Sequence, residues 1–252
     1  MSVESILAAH SAQREALATR IVQLLEHEWS SLGTWDSADV ERFVGRVIPI
    51  LTGGQAMTAR MTDVYISQLL SEMTGENVPV AGLRTSDLKE MRGTPLMEVY
   101  RRPFVEMWTA LKDGQLFEDA YQAGLNRVSE LADDDLSLAY RKASTLAFEK
   151  QPAVKGYRRV VRPEMSKGGT CPLCHLASEN RYHKSDLLPI HTHCRCAVMP
   201  IVGKSDPASR LNAEDLGQLE KPTELPVVRN HGELGPILQV AGQHYTTEAQ
   251  VA

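Results

Sequence analysis

Residues 171–196 read CPLCHLASENRYHKSDLLPIHTHCRC, and this stretch contains all four cysteines of the 252-residue chain. The cysteines form two pairs, Cys171-x-x-Cys174 and Cys194-x-Cys196. Zn²⁺ takes four tetrahedral sulfur or nitrogen ligands, and a Cys-x-x-Cys turn presents two thiolates to one metal ion without strain. Because all four cysteines lie in one corner of the chain, metal binding in a reducing cytosol explains them better than a disulfide framework.

Five side chains compete for the four positions of such a zinc site. They are Cys171, Cys174, His191, Cys194 and Cys196. The spacing favours Cys171 and Cys174 first, then Cys196 and His191, and it leaves Cys194 either as a replacement or outside the coordination shell. A catalytic zinc keeps one position open for water, whereas this cluster oversupplies ligands, so we expect a structural zinc ion. The alternative is a group of buried free thiols or a labile disulfide.

Short strands are predicted on both sides of the cysteines. Residues 157–162 (YRRVVR) alternate in the manner of a strand, and residues 196–202 (CAVMPIV) form a second candidate. Residues 151–203 therefore constitute a small zinc-stapled α+β module. A bound metal would supply folding free energy to a segment too short to fold alone.

The chain before this module is predicted to be an α-helical bundle over residues 1–150, which makes the protein mainly α. Helical spacing of apolar residues predicts helices over 3–31, 36–52, 55–73, 116–131 and 134–149. A further helical run is predicted from Pro95, and we expect Pro103 to kink or split it. We expect Gly53-Gly54 to interrupt the second helix, and 132–135 (ADDD) to be a helix boundary with an N-cap. We also expect the bundle and the module to have separate cores.

Residues 204–252 are predicted to form an extended arm. Four prolines interrupt its short apolar pieces, at Pro207, Pro222, Pro226 and Pro236. One short helix fits near 212–219. Such a segment has little core of its own, so we expect it to become ordered by docking on something else.

The composition is that of a globular protein, with 42% hydrophobic and 23% charged residues. The formal charge of −5 gives no overall attraction to nucleic acid or to an anionic membrane, so such binding would require a local patch. The first residues lack a signal-peptide pattern and no stretch has 18 consecutive apolar residues, so we expect no membrane partner. Positive charge does concentrate around the module, at Lys155, Arg158, Arg159, Arg162 and Lys167. These side chains are candidates for contact with DNA or a partner, or else a solvated strand face paired to carboxylates of the bundle.

The combined motif resembles the MuF-like head morphogenesis family of tailed bacteriophages. The matching residues are Cys171, Cys174, Pro189, Ile190, His191, Cys194, Arg195, Cys196 and Pro200. Residues 156–161 (GYRRVV) and 231–238 (HGELGPIL) also look like members of this family from phages of actinobacteria. The resemblance covers about 155–240 well and the helical region only loosely.

The resemblance implies a minor capsid protein, present in few copies inside the virion head near the portal and in the host cytoplasm during assembly. Its implied role is structural, in head assembly and in DNA packaging or ejection. The implied partners are the portal protein, capsid or scaffold protein, and packaged DNA. Some similar proteins are labelled capsid maturation proteases, which is the rival hypothesis. The sequence has no Gly-x-Ser-x-Gly motif, and every cysteine belongs to the cluster, so we expect no enzymatic activity.

Overall fold

A computed structural model describes residues 1–89, 91–165, 172–191, 193–216 and 226–240. The helices are α1 (Val3–Ser30), α2 (Ser37–Thr74), α3 (Leu96–Val99), α4 (Arg102–Lys112), α5 (Phe117–Lys150), α6 (Pro172–Ser178) and α7 (Pro207–Leu216), with 3₁₀ turns at Thr85–Leu88 and Pro163–Met165. The strands are β1 (Val154–Val160), β2 (Arg181–His183), β3 (Ala197–Val202), β4 (Pro226–His231) and β5 (Gly235–Val240). The prediction of a mainly α protein, with a helical bundle followed by a small α+β module, is confirmed. Predictions for Cys171, Lys167, 217–225 and 241–252 lie outside the described residues.

The long helices α1, α2 and α5 pack against one another, and α4 packs on α5. Local signals set the helix ends. The Asp36 carboxylate accepts hydrogen bonds from the backbone of Ala38 and Asp39 at the start of α2, and Gly75 ends that helix in the left-handed conformation. Pro103 lies in the first turn of α4, so it does split the predicted run into α3 and α4.

Two predicted helix breaks are wrong. Helix α2 continues through Gly53-Gly54, and α5 continues through the three consecutive aspartates that begin at Asp133. Gly54 is a site of close approach, because a Cβ atom there would lie 2.9 Å from the Ile21 side chain of α1. The aspartates are buried inside the fold, and Asp133 and Asp135 have partners from other segments.

A similar close approach at Gly124 gives a test of how tightly the bundle is packed. A Cβ atom at Gly124 would lie 2.5 Å from Cζ2 of the buried Trp29. We expect Gly124→Ala to lower the free energy of unfolding by about 1–3 kcal/mol, because the tryptophan must shift within a filled core. The measurement is urea denaturation followed by circular dichroism.

The matched control is Gly53→Ala, at an exposed helical position where an added Cβ meets no atom within 4 Å. There we expect a gain of about 0.5–1 kcal/mol, from the higher helix propensity of alanine alone. If both substitutions changed stability equally, the contact between Gly124 and Trp29 would not be tightly packed.

The small sheet has the antiparallel order β2-β1-β3 and joins the bundle directly. The Tyr65 hydroxyl of α2 donates to the Val198 carbonyl of β3 at 2.8 Å, and the Val198 N–H donates to the Tyr140 hydroxyl of α5 at 2.8 Å. One hydrophobic cluster contains side chains from both parts, including Phe148 of α5 and Tyr157 of β1, whose rings stack. This shared core differs from the expected separate cores. It forms because β1 follows α5 after only three residues, and β3 packs beside α2.

The C-terminal segment contains more regular structure than the predicted arm. Helix α7 lies near the predicted short helix. Strands β4 and β5 form an antiparallel hairpin where an extended arm was expected. Leu234 and Ile237 of the hairpin are buried in a cluster with Leu138 of α5 and Ile190. The described part of this segment is therefore ordered by docking on the chain's own bundle.

Backbone hydrogen bonds fix the hairpin in place. The Ile190 N–H donates to the Pro236 carbonyl at 3.3 Å, and the Leu238 N–H donates to the Ile190 carbonyl at 2.8 Å. The buried guanidinium of Arg141 in α5 donates to the carbonyls of Pro236 and Leu234. The hairpin thus connects α5 to the residue that immediately precedes His191.

Among the described residues, no helix combines the length and the apolar character needed to cross a bilayer.

Candidate metal centre

Three of the predicted ligands lie together. The Sγ atoms of Cys174 and Cys194 and a ring nitrogen of His191 are all within 4.8 Å of one another. The Cys174 Sγ is 2.9 Å from the His191 Nε2 and 3.8 Å from the Cys194 Sγ. No disulfide joins the cysteines that the structure describes. This Cys₂His cluster could hold a metal ion.

Each ligand comes from a different local structure. Cys174 lies on helix α6, and His191 follows the bridge that Ile190 makes with the hairpin. Cys194 closes a turn in which its N–H donates to the His191 carbonyl at 3.2 Å. His193 in this turn has a φ of 59°, in the left-handed region that a non-glycine residue rarely adopts. The turn places His191 and Cys194 side by side.

Cys196 is buried next to the cluster but is not one of the three grouped ligands. A hydrogen bond with Cys174 lowers its pKa, but a hydrogen bond with Cys194 and burial outweigh that effect and raise the pKa to about 12. For Cys194, hydrogen bonds from Cys174 and Cys196 hold the pKa well below its usual value. The geometry groups Cys194 with Cys174 and His191, whereas the spacing ranked Cys196 ahead of Cys194.

Arg159 lies against the sulfur atoms. Its side chain is fully buried, and Nη1 donates to the Cys194 Sγ at 3.2 Å and to the Cys174 Sγ at 3.4 Å. Its Nη2 donates to the backbone carbonyl of Pro189, two residues before His191. One guanidinium thus contacts two candidate ligands and the segment that carries the third. Sequence reasoning treated Arg159 as a surface cation. The predicted strand that carries Arg159 lies close to the cysteines in the sequence, and this position could have indicated a contact with them.

The other basic candidates are mostly engaged within the fold. Arg158 is buried and pairs with Asp206 at 2.9 Å, and Arg162 pairs with Glu164. Buried Arg158 and Arg159 cannot reach a DNA phosphate in this fold, because their guanidinium groups face the interior. Lys155 is exposed. The alternative of a solvated strand face paired to carboxylates of the bundle is also wrong for Arg158 and Arg162, because Arg158 is buried and their partners Asp206 and Glu164 lie outside the bundle.

Sequence reasoning missed a buried acidic cluster in the middle of α5. Asp133 pairs at 2.6 Å with Arg195, the residue that follows Cys194 in the sequence. Asp135 pairs with Arg92 at 2.9 Å. Asp135 also accepts a hydrogen bond from the buried Tyr100 hydroxyl at 3.0 Å. The position of Asp135 in the sequence could have indicated that it is buried. It lies at helical spacing between Leu131 and Leu138, two apolar residues of the same helix.

Asp134 makes the stability of the fold depend on pH. Burial raises its pKa to about 7, and Asp133 and Asp135 contribute while Arg92 opposes the change. The unfolded chain ionises this carboxyl near pH 4, whereas the folded chain keeps it protonated up to about pH 7. Between these values the folded state binds more protons, so this group makes stability fall as pH rises.

We expect Asp134→Asn to be more stable than the wild type at pH 8, by on the order of a few kcal/mol, and equal to it near pH 4. Chemical denaturation at several pH values measures this difference. The exposed Asp113→Asn is the control and should follow the wild type at every pH. A constant difference between Asp134→Asn and the wild type from pH 4 to 8 would contradict the assignment.

Comparison of the chain with protein-family models, with curated proteins and with solved structures finds no match.

Proposed function

We propose that the chain is a minor capsid protein of a tailed bacteriophage, of the MuF-like type. In this proposal it lies in few copies inside the head beside the portal and acts in head assembly and in DNA packaging or ejection. The observation that supports it is the Cys174, His191 and Cys194 cluster. The cluster forms from the residues that carry the family resemblance, on a small sheet that shares its core with a helical bundle.

We propose zinc as the metal, in a structural role. Two thiolates and an imidazole are ligands that favour zinc among the common divalent ions. Cys174 and Cys194 are buried, and Arg159 occupies the space beside their sulfur atoms, which suits a closed site better than one that exchanges water and substrate. Cys171 and Cys196 are the candidates for the fourth ligand. The zinc would hold α6, the His191 segment and the Cys194 turn together.

The proposed partners are the portal protein and capsid or scaffold protein, and a DNA contact is a lesser part of the proposal. Of the five basic candidates, Arg158 and Arg159 face the interior, and Arg162 has an intramolecular partner. Phosphate binding by this face would therefore depend on exposed Lys155, and Lys167 lies outside the described residues. A protein partner requires no such charge, so docking on a larger assembly is the main proposed activity.

The test is coexpression of the chain with portal, scaffold and capsid proteins of a tailed phage, followed by purification of particles and intact-mass analysis. We expect the chain in portal-containing particles at low copy number, with the capsid protein unprocessed by it. A Cys174→Ser variant should be depleted from particles, because its metal-stapled module is disrupted.

Two outcomes would contradict the structural proposal. The first is the absence of the chain from all particles. The second is trimming of the capsid protein only when the intact chain is present, with loss of trimming after single serine or histidine substitutions outside the metal cluster. The second outcome would establish the maturation protease in its place.

A further inference from the structure

A stripe of exposed apolar side chains runs along α4 and onto the start of α5. It consists of Val105, Trp108, Leu111, Leu116 and Phe117, each between 37% and 74% exposed. The first three are spaced three residues apart on α4, so they line one side of that helix. Apolar residues scattered singly on a surface need no explanation, but five in one stripe, with a tryptophan and a phenylalanine among them, indicate a binding surface.

Contacts with Trp35 connect the part of the stripe on α4 with the part on α5. Half-buried Trp35 lies between them: its carbonyl accepts a hydrogen bond from the Trp108 Nε1 at 3.1 Å, and its ring meets Phe117 edge-on at 6.2 Å. Phe104 supports Trp108 from beneath, with ring centroids 5.9 Å apart. Trp35, Trp108 and Phe117 therefore form one aromatic surface on the bundle.

The charges around this surface are mostly negative. The exposed charged residues from 101 to 119 are Arg101, Glu106, Lys112, Asp113, Glu118 and Asp119, which are four acids and two cations, and Arg101 is already paired with Glu41. We call the acidic residues beside the stripe its acidic rim. Two copies of the chain that met through this stripe would bring two acidic rims together, which is electrostatically unfavourable. A partner with lysine or arginine around its apolar side chains would instead complement the rim.

We propose that this stripe is a docking surface for a basic amphipathic segment of a different protein, with apolar side chains on the aromatic surface and cations against the acidic rim. A helix with apolar residues three and four apart fits the spacing of Val105, Trp108 and Leu111. The surface contains no residue of the metal centre, and the hydrophobic cluster that supports it contains none from the β1–β3 module. This inference goes beyond the proposed function and does not rest on it.

The experiment uses the full chain and two labelled 18-residue helical peptides, one of leucine and lysine and one with glutamate in place of every lysine. Fluorescence anisotropy measures binding at low salt. We expect the leucine–lysine peptide to bind at least about tenfold more tightly than the leucine–glutamate peptide. The double substitution Val105→Ser with Leu116→Ser should lower the affinity at least about tenfold, because both side chains are exposed apolar contacts.

The matched control is Val80→Ser, which changes an exposed valine elsewhere and should bind the peptide as the wild type does. Sedimentation of the free chain should show a monomer. Equal affinity for the two peptides, no binding, or unchanged binding by the double variant would overturn the proposal. A wild-type dimer that the double variant dissociates would overturn it in favour of a second copy. Each result stands whether or not the chain associates with phage particles.

Discussion

Replacement of Cys174 by serine is expected to abolish stable metal binding. Wild-type protein should contain about one zinc per molecule, and Cys174→Ser should lose at least about a hundredfold in affinity. Loss of a residue that only hydrogen-bonds to a metal ligand typically lowers metal affinity about tenfold to hundredfold. We expect a larger loss for Cys174→Ser, because Cys174 contacts both other members of the cluster. Elemental analysis after dialysis and competition with a chromophoric chelator measure the two quantities.

The same variant should lose structure locally. Because α6 has only seven residues, far-ultraviolet circular dichroism should change little, while hydrogen exchange should accelerate in 172–196. The control is Ser178→Ala on the same helix, which removes a hydroxyl that donates to the carbonyl of His175 and leaves every sulfur in place. Full zinc content in Cys174→Ser would show that Cys174 is not a ligand.

Replacement of Arg159 by methionine is expected to weaken metal binding about 10–100-fold without removing any ligand. The guanidinium holds two sulfur atoms and the Pro189 carbonyl in one arrangement, and methionine retains much of its apolar volume but donates no hydrogen bond. The Co²⁺-substituted protein provides a spectroscopic readout, since its visible absorption reports the geometry around the metal. Arg159→Lys should restore part of the affinity, because an ammonium can still donate to sulfur.

Arg158→Met is the matched control for Arg159→Met. It removes the neighbouring buried arginine, its ion pair with Asp206 and its hydrogen bonds to the carbonyls of Ser178 and Glu179, but it leaves the contacts of Arg159 with sulfur in place. We expect Arg158→Met to lower stability and leave the Co²⁺ spectrum of folded protein unchanged. If both variants changed the spectrum alike, the effect of Arg159 would be a general consequence of losing a buried charge.

Much of the fold could be predicted from local patterns. The amphipathic spacing in α1, the N-cap at Asp36 and the split at Pro103 all act within one or two helical turns, so the sequence displays them directly. The two wrong helix breaks depend on distant residues. Gly54 is tolerated because α1 lies against it, and Asp135 is tolerated in a helix interior because Arg92 and Tyr100 come from another segment. Such compensation is invisible in a single stretch of sequence.

The candidate site was predictable in residue type but not in arrangement. Sulfur and imidazole at short spacing indicate a metal, whatever the backbone does. Cys194, and not Cys196, is grouped with Cys174 and His191 because of the left-handed turn at His193. The spacing of the cysteines cannot reveal this turn. The role of Arg159 depends on which face of β1 points inward, and its neighbours Arg158 and Arg162 look identical in sequence.

The β4–β5 hairpin also imposes an order on how a newly made chain can finish folding. Helices α1, α2 and α5 leave the ribosome first, yet the carbonyl partners of Arg141 and the strand partner of Ile190 are made only with residues 234–238. Until then the segment that carries His191 has an open edge. Synthesis of Cys174, His191 and Cys194 and completion of their scaffold are therefore separate events, and we expect this cluster to reach its final form only after the hairpin has been translated.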